Sequence, residues 1–202
     1  MSEQKNYIPS TSRIEAFSDG VVAIIVTLLI LEIKVPELRV LSNGAVLKAL
    51  VPLIPKFVGF TVSFVTVAIF WVNHHHFYHS LEYSDEALLW HNNHLLFWLA
   101  VIPFVTAFVG DYPTQSIVVA LYGFVLMMSA TSFVLMVRHV FFKSTLLPET
   151  VPESTRQKEF HRGLVGVFLY AMSVVLAFLS PYISLFIFVF IPLYYFFPKK
   201  LI

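Results

Sequence analysis

Six long apolar stretches, separated by short polar or proline-containing segments, constrain the fold of this chain more than any other feature. About 20 predominantly apolar residues are enough to cross a bilayer as a helix. The sequence therefore predicts an all-α integral membrane protein with six transmembrane helices, which form a single domain over residues 1–202. The predicted helices cover about 13–35, 45–76, 87–109, 116–137, 157–180 and 182–197.

Composition agrees with a membrane protein and excludes several kinds of site. Of the 202 residues, 58% are hydrophobic and 12% are charged, whereas soluble domains carry about 25% charged residues. Since the chain has no cysteine, it can form no disulfide, thiolate nucleophile or cysteine metal site. A net charge of +1 gives no reason to expect binding to nucleic acid. The polar N-terminus and the length of the first apolar stretch indicate a retained helix rather than a cleaved signal peptide.

The distribution of lysine and arginine predicts the orientation. Six spans place both termini on one side of the membrane, and cytoplasmic loops carry an excess of positive residues. If that side is the cytoplasm, nine of the 13 basic residues lie inside and four outside, which favours cytoplasmic termini. The inside set is Lys5, Arg13, Arg138, Lys143, Arg156, Lys158, Arg162, Lys199 and Lys200, and the outside set is Lys34, Arg39, Lys48 and Lys56.

The first helix is predicted to carry polar residues at its beginning. Ser12 and Glu15 have the spacing of a capping box, and Pro36 disfavours helical geometry at Val35. Asp19 then lies inside a membrane span, where an ionisable side chain is costly and usually has a functional or partner-related reason.

One face of the same helix is apolar. At about 100° per residue, six residues fall within one stripe, and Ser18 and Asp19 point away from it toward neighbouring helices. Periodicity alone also fits ordinary packing in a helical bundle. The stripe consists of Phe17, Gly20, Ile24, Thr27, Leu28 and Leu31.

The string Arg13-x-x-x-Phe17-Ser18-Asp19 resembles the first-helix motif of the transmembrane protein 175 family, which comprises lysosomal and prokaryotic potassium-selective channels. Trp71-x-x-His74-His75, and Asn92 followed by Pro103-Phe104, are similar to further motifs of that family. The resemblance implies a homotetramer in a prokaryotic cell membrane, with four copies of the first helix around a central pore. It also implies an interhelical polar network of Arg13, Ser18, Asp19, His74, His75 and Asn92.

By the same resemblance, a ring of Ile24 forms the narrowest point of the pore. A ring of Thr27 hydroxyls one turn further can offer oxygen to a partly dehydrated potassium ion, and Leu28 and Leu31 continue the apolar lining. The chain has no T-V-G-Y-G filter, so selectivity has to come from such a constriction. The permeant ion is the only small partner expected, without a cofactor or resident metal.

Two alternatives come from the histidines. Six of the eight lie in the stretches 71–79 and 90–94, where His75 and His79, and His91 and His94, share helix faces that can ligate a metal. A histidine-box metalloenzyme is therefore one alternative, although the nearby acids fall in a predicted loop. A proton-coupled carrier is the other, although no internal repeat supports it. The acids near the histidines are Glu82, Asp85 and Glu86. The family resemblance gives no role to four of the histidines, which are His76, His79, His91 and His94.

Overall fold

The computed structural model describes residues 11–38, 40–81, 83–148 and 150–196, without the side chains of Tyr194 and Phe196. Several residues used in the sequence analysis lie outside the described residues. They are Lys5, Arg39, Glu82, position 197 of the last helix, Lys199 and Lys200.

Within the described residues the secondary structure is helical, with turns and no strand, so the predicted all-α class is confirmed. Two of the helices, α2 and α3, are joined by a short 3₁₀ turn over Val51–Leu53. The helices are α1 (Thr11–Leu31), α2 (Asn43–Leu50), α3 (Ile54–His79), α4 (Glu86–Asp111), α5 (Ser116–Phe142), α6 (Glu153–Leu176) and α7 (Pro181–Phe196).

Five helical segments of the described chain are long and apolar enough to cross a membrane: α1, the run 43–79, α4, α5 and α6. A sixth apolar segment, Pro181–Leu193 in α7, is shorter. The run 43–79 has 37 residues, or about 55 Å at about 1.5 Å per residue, whereas the hydrocarbon core of a bilayer is about 30 Å thick. The run is therefore longer than a single membrane span needs.

The second predicted helix differs from the structure because of its prolines. The 3₁₀ turn includes Pro52, and Pro55 lies in the first turn of α3. Proline lacks a backbone N–H and clashes with the preceding turn, so it is tolerated where a helix begins and disfavoured in its interior. The continuous helix predicted over 45–76 is thus two helices.

The capping box predicted at Ser12 is wrong, and so is a second one that the same spacing predicts at Ser154 and Gln157, at the beginning of the fifth helix. Ser12 lies inside α1, whose described part begins at Thr11, and Ser154 lies inside α6, where Pro152 occupies the N-cap position. The side chain of Gln157 instead donates to Glu153 Oε1 at 3.0 Å. α1 also ends at Leu31, four residues before the predicted end.

The centre of the bundle is formed by α4 and α5, which pack against each other and together contact the other long helices. A fully buried hydrogen-bond chain joins α5, α3 and α4 there. Thr106 donates to the carbonyl of Ile102, so its oxygen accepts from Ser63 at 2.7 Å, and Ser63 in turn accepts from Tyr122 at 2.8 Å. This polar layer fixes the register of the helices on which α1 rests.

Candidate pore face and its anchor

The helix α1 has one buried face and one exposed face. The buried residues recur every three or four positions, as expected for one side of a helix, and face α3 and α4. They are Ile14, Ser18, Val22, Ile25 and Leu29.

The apolar stripe predicted from the sequence lies on the exposed face. Ile24 is 60% exposed and Leu31 is 69% exposed, and a Cβ added to Gly20 would meet no atom within 4 Å. Phe17, Thr27 and Leu28 are exposed on the same side. No described residue of the chain's own bundle covers the stripe, which leaves it open to lipid or to another copy of the chain.

Thr27 is the one hydroxyl residue of the stripe. Its Oγ1 lies 2.8 Å from the carbonyl oxygen of Ile24 and 3.1 Å from that of Ala23, to which it donates its hydrogen. A hydroxyl that donates to its own helix keeps its lone pairs available as acceptors. Thr27 therefore presents an oxygen, rather than a hydrogen, to whatever lies against the exposed face.

A buried cluster anchors the opposite face of α1 to two other helices. Asn92 of α4 donates through Nδ2 to Ser18 Oγ of α1 at 3.0 Å, and its Oδ1 lies 2.8 Å from His74 Nε2 of α3. Because an amide oxygen only accepts, His74 Nε2 carries a hydrogen and donates it. All three side chains are buried, so the amide of Asn92 connects α1, α3 and α4 at one point.

Asp19 is held by a different partner. Its Oδ1 accepts a hydrogen bond from the indole Nε1 of Trp71 at 2.8 Å, which adds a second tie between α1 and α3. Trp71 was noted in the sequence only as part of a motif string, and its role as a donor was missed. The rule that a buried indole N–H finds a hydrogen-bond partner gives no signal here, because Trp71 is 41% exposed.

The remaining predicted network residues lie outside the buried cluster. His75 is exposed, and its ring stacks on Trp71 at a centroid distance of 6.2 Å and on His79 at 6.3 Å. Arg13 is also exposed, one turn before Phe17 on α1. The structure thus brings Ser18, His74 and Asn92 together, attaches Asp19 to Trp71, and leaves Arg13 and His75 at the surface.

The histidines do not converge on a metal site. Within the described part of the chain, no group of three His, Asp or Glu side chains has an arrangement that would hold a metal ion. His94 instead accepts from Trp98 Nε1 at 3.1 Å, and His91 lies beside His139. His91 and His94 therefore have separate contacts, whereas His75 and His79 stack on each other without a third ligand among the described residues.

Comparison with known proteins identifies the class of protein. Residues 13–103 match the family model described as the endosomal/lysosomal potassium channel TMEM175. A potassium channel of Chryseobacterium sp. (strain P1-3) is 34% identical over 188 residues, which cover 93% of each chain. A potassium channel of Chamaesiphon minutus is 33% identical over 182 residues, covering 86% of this chain and 87% of that one. These relatives are named as channels, not as enzymes.

The fold agrees with a solved member of the same class. The crystal structure of a lysosomal potassium-selective channel TMEM175 homolog from Chamaesiphon minutus superposes with a TM-score of 0.81 and 29% sequence identity. The match covers 92% of this chain and 95% of the other. The chain therefore belongs to the TMEM175 family, and it is an integral membrane protein. The family resemblance predicted from the sequence motifs is confirmed.

Proposed function

We propose that this protein is a potassium-selective channel in which four copies of the chain surround a central pore lined by α1. The observation that carries the proposal is the pairing of an exposed stripe on α1 with an anchored opposite face. One helix cannot enclose a pore, so a lining made of α1 requires several copies. The relatives named as potassium channels support the ion, and the number four rests on the family resemblance.

The narrowest point of the pore is proposed to be a ring of Ile24 side chains. Water is easily expelled from such an apolar ring, so an ion that crosses it has to shed part of its hydration shell. Shedding water costs less free energy for potassium than for sodium, because potassium holds its water less tightly. The Thr27 oxygens one turn away, whose hydrogens point to the helix backbone, would offset part of this cost. Leu28 and Leu31 continue the lining toward the end of α1.

The anchor sets the direction in which this lining faces. Ser18 is fixed to Asn92, and α1 is a continuous helix from Thr11 to Leu31. Because successive residues are rotated by about 100°, fixing Ser18 also fixes the orientation of Ile24 and Thr27. We infer that the buried cluster holds the stripe toward the pore axis.

The proposed setting is the cell membrane of a prokaryote, with both termini in the cytoplasm. The orientation rests on the excess of basic residues on that side, and the setting on the bacterial relatives. The proposed partners are other copies of the chain, the lipid bilayer and monovalent cations. The permeant potassium ion passes close to Ile24 and Thr27, and the proposed mechanism uses no resident metal, cofactor or nucleic acid.

The test is the reversal potential of purified protein in a bilayer, with potassium on one side and sodium on the other. Ile24→Asn keeps a similar side-chain length but makes the ring polar, so water can remain at the narrowest point. We expect larger currents and a smaller preference for potassium. Thr27→Val removes the hydroxyl at nearly constant shape and should lower the preference without a larger current.

Ile30→Asn is the matched control, because it is the same substitution on the same helix. Ile30 is 42% exposed, but its direction differs from that of Ile24 by about 120°. Ala23→Ser is a milder control beside Ile24. Both controls should keep the reversal potential of the wild type. If Ile24→Asn also keeps it, together with the wild-type current, Ile24 does not line the constriction and the proposed pore face is wrong.

A further inference from the structure

A second polar cluster lies where α4 begins and α5 ends, apart from the buried anchor. Asp85 is the N-cap residue of α4, and its Oδ1 accepts from the backbone N–H of Leu88 at 2.7 Å. The same carboxylate lies 3.1 Å and 2.8 Å, through its two oxygens, from Nε2 of His139. His139 is in the last turn of α5. One carboxylate therefore caps α4 and ties it to α5.

His91 completes the cluster, nearly two turns further along α4. Its ring centroid lies 5.3 Å from that of His139. A carboxylate only accepts hydrogen bonds, so His139 Nε2 carries a hydrogen and donates it to Asp85. A proton taken up by His91 would be partly buried and would lie beside the imidazole of His139.

The surrounding titratable groups add to this effect. Besides His139 and Asp85, the charges that act on His91 are those of His94 on α4 and of Lys143, which follows α5. Tyr78 of α3 faces Asp85, and Arg156 of α6 donates to the backbone carbonyls of residues 141, 148 and 151. Two imidazoles and an ammonium group thus act on His91 against the single carboxylate of Asp85.

The cluster is next to the anchor of α1. His91 precedes Asn92, whose amide binds Ser18 of α1 and His74 of α3. Movement of the α4 backbone at His91 therefore also moves Asn92, because the two residues share a peptide unit. This adjacency gives the cluster a physical route to α1.

We propose that Asp85, His139 and His91 form a proton-sensitive junction that loosens the beginning of α4 on acidification and weakens the hold of Asn92 on α1. The effect on current rests on the proposed channel function, whereas the effect on stability does not. Imidazole gains its charge between about pH 8 and pH 5. Folding partly buries His91 and places it beside like charges, and both effects disfavour its protonated form relative to the unfolded chain. Stability is therefore present at neutral pH and lost as the pH falls.

Thermal unfolding of the full-length protein in detergent, measured at pH 7.5 and pH 5.5, tests the junction. We expect the midpoint of the wild type to fall by about 2–4 °C at the lower pH. In His91→Gln, which cannot take up the proton, at least half of this fall should disappear. His139→Gln should have a similar effect, because it keeps a donor to Asp85 and removes the like charge. This variant replaces His91→Gln in the test if His91→Gln does not fold.

His76→Gln is the control, because His76 is exposed on α3 and contacts His75 rather than this cluster. The thermal midpoint of His76→Gln should fall as much as that of the wild type on acidification. An equal acid-induced fall in the wild type and both cluster variants would overturn the junction.

Currents in a bilayer test the route to α1. Acidification of the side where the termini lie should reduce the wild-type current about twofold or more and leave the current of His91→Gln unchanged. Acid on the opposite side should leave both currents unchanged. Equal inhibition of the wild type and His91→Gln would overturn the coupling. If the wild type carries no potassium current even at pH 7.5, the proposed channel function fails, and the thermal comparison alone decides the junction.

Discussion

At the scale of single residues, the amide of Asn92 matters most because it serves two buried partners at once. It donates to Ser18 and accepts from His74, so one side chain holds three helices. The described buried side-chain nitrogen and oxygen atoms all have partners. Without this amide, Ser18 Oγ and His74 Nε2 would be buried without their shared partner, which costs free energy.

Asn92→Ala should therefore lower the free energy of unfolding by about 1–3 kcal/mol, because Ser18 Oγ and His74 Nε2 lose their shared partner. Asn93→Ala is a closely matched control, since Asn93 is the next residue and is exposed. Thermal unfolding in detergent gives the comparison. Equal midpoints for the two variants would show that the buried amide contributes nothing to stability.

At the scale of helices, the contact between α5 and α6 depends on the absence of a side chain at Gly163. A Cβ at this position would lie 2.7 Å from Cγ2 of Val134, far inside an ordinary contact distance. Valine has one strongly preferred rotamer in a helix, so it cannot easily turn away. The two helices approach closely because Gly163 leaves room for Val134.

Gly163→Ala should destabilise the protein by about 1–3 kcal/mol through overpacking. Gly44→Ala makes the same change in α2, where the new Cβ would meet nothing within 4 Å. Alanine is a better helix former than glycine by about 1 kcal/mol, so this control should be neutral or stabilising. We expect Gly163→Ala to lower the thermal midpoint and Gly44→Ala to leave it unchanged or raise it. An unchanged or raised midpoint for Gly163→Ala would contradict close packing at Gly163.

At the scale of the whole molecule, the exposed stripe of α1 is covered by none of the residues that the structure describes. Lipid can cover an apolar face, but it gives no reason for the hydroxyl of Thr27 or the bare backbone at Gly20. Four α1 helices around an axis would place both residues against a water-filled path. The assembly is therefore as much a part of the proposed function as any side chain.

Native mass spectrometry of the protein in detergent should give a mass of about four times the 23.1 kDa of one chain. Ile24→Asn should keep this mass, because it changes the lining and leaves the buried face of α1 intact. Ser18→Leu should reduce the tetramer fraction, since it removes the anchor that orients α1. A monomeric wild type with normal thermal stability would contradict the tetramer.

The sequence by itself determined the class of the protein, the family, and the two faces of α1. Hydrophobicity and helical period are properties of neighbouring residues, so apolar stretches and the stripe around Ile24 can be read without knowing the fold. The family motifs in α1, α3 and α4 are likewise short strings. Helix ends were less predictable, because Pro52 and Pro152 outweighed the apolar pattern and the capping-box spacing.

Only the tertiary structure decided which polar residues meet. Asp19 and Trp71 are 52 positions apart, and Asp85 and His139 are 54 apart, so no local pattern links them. Histidines that share a helix face, such as His91 and His94, find different partners: His91 lies beside His139 of α5, whereas His94 accepts from Trp98 one turn further along α4. The physical reason is that a polar side chain among packed helices forms a hydrogen bond with a group that the packing brings close to it. Packing between distant parts of the chain decides which group that is.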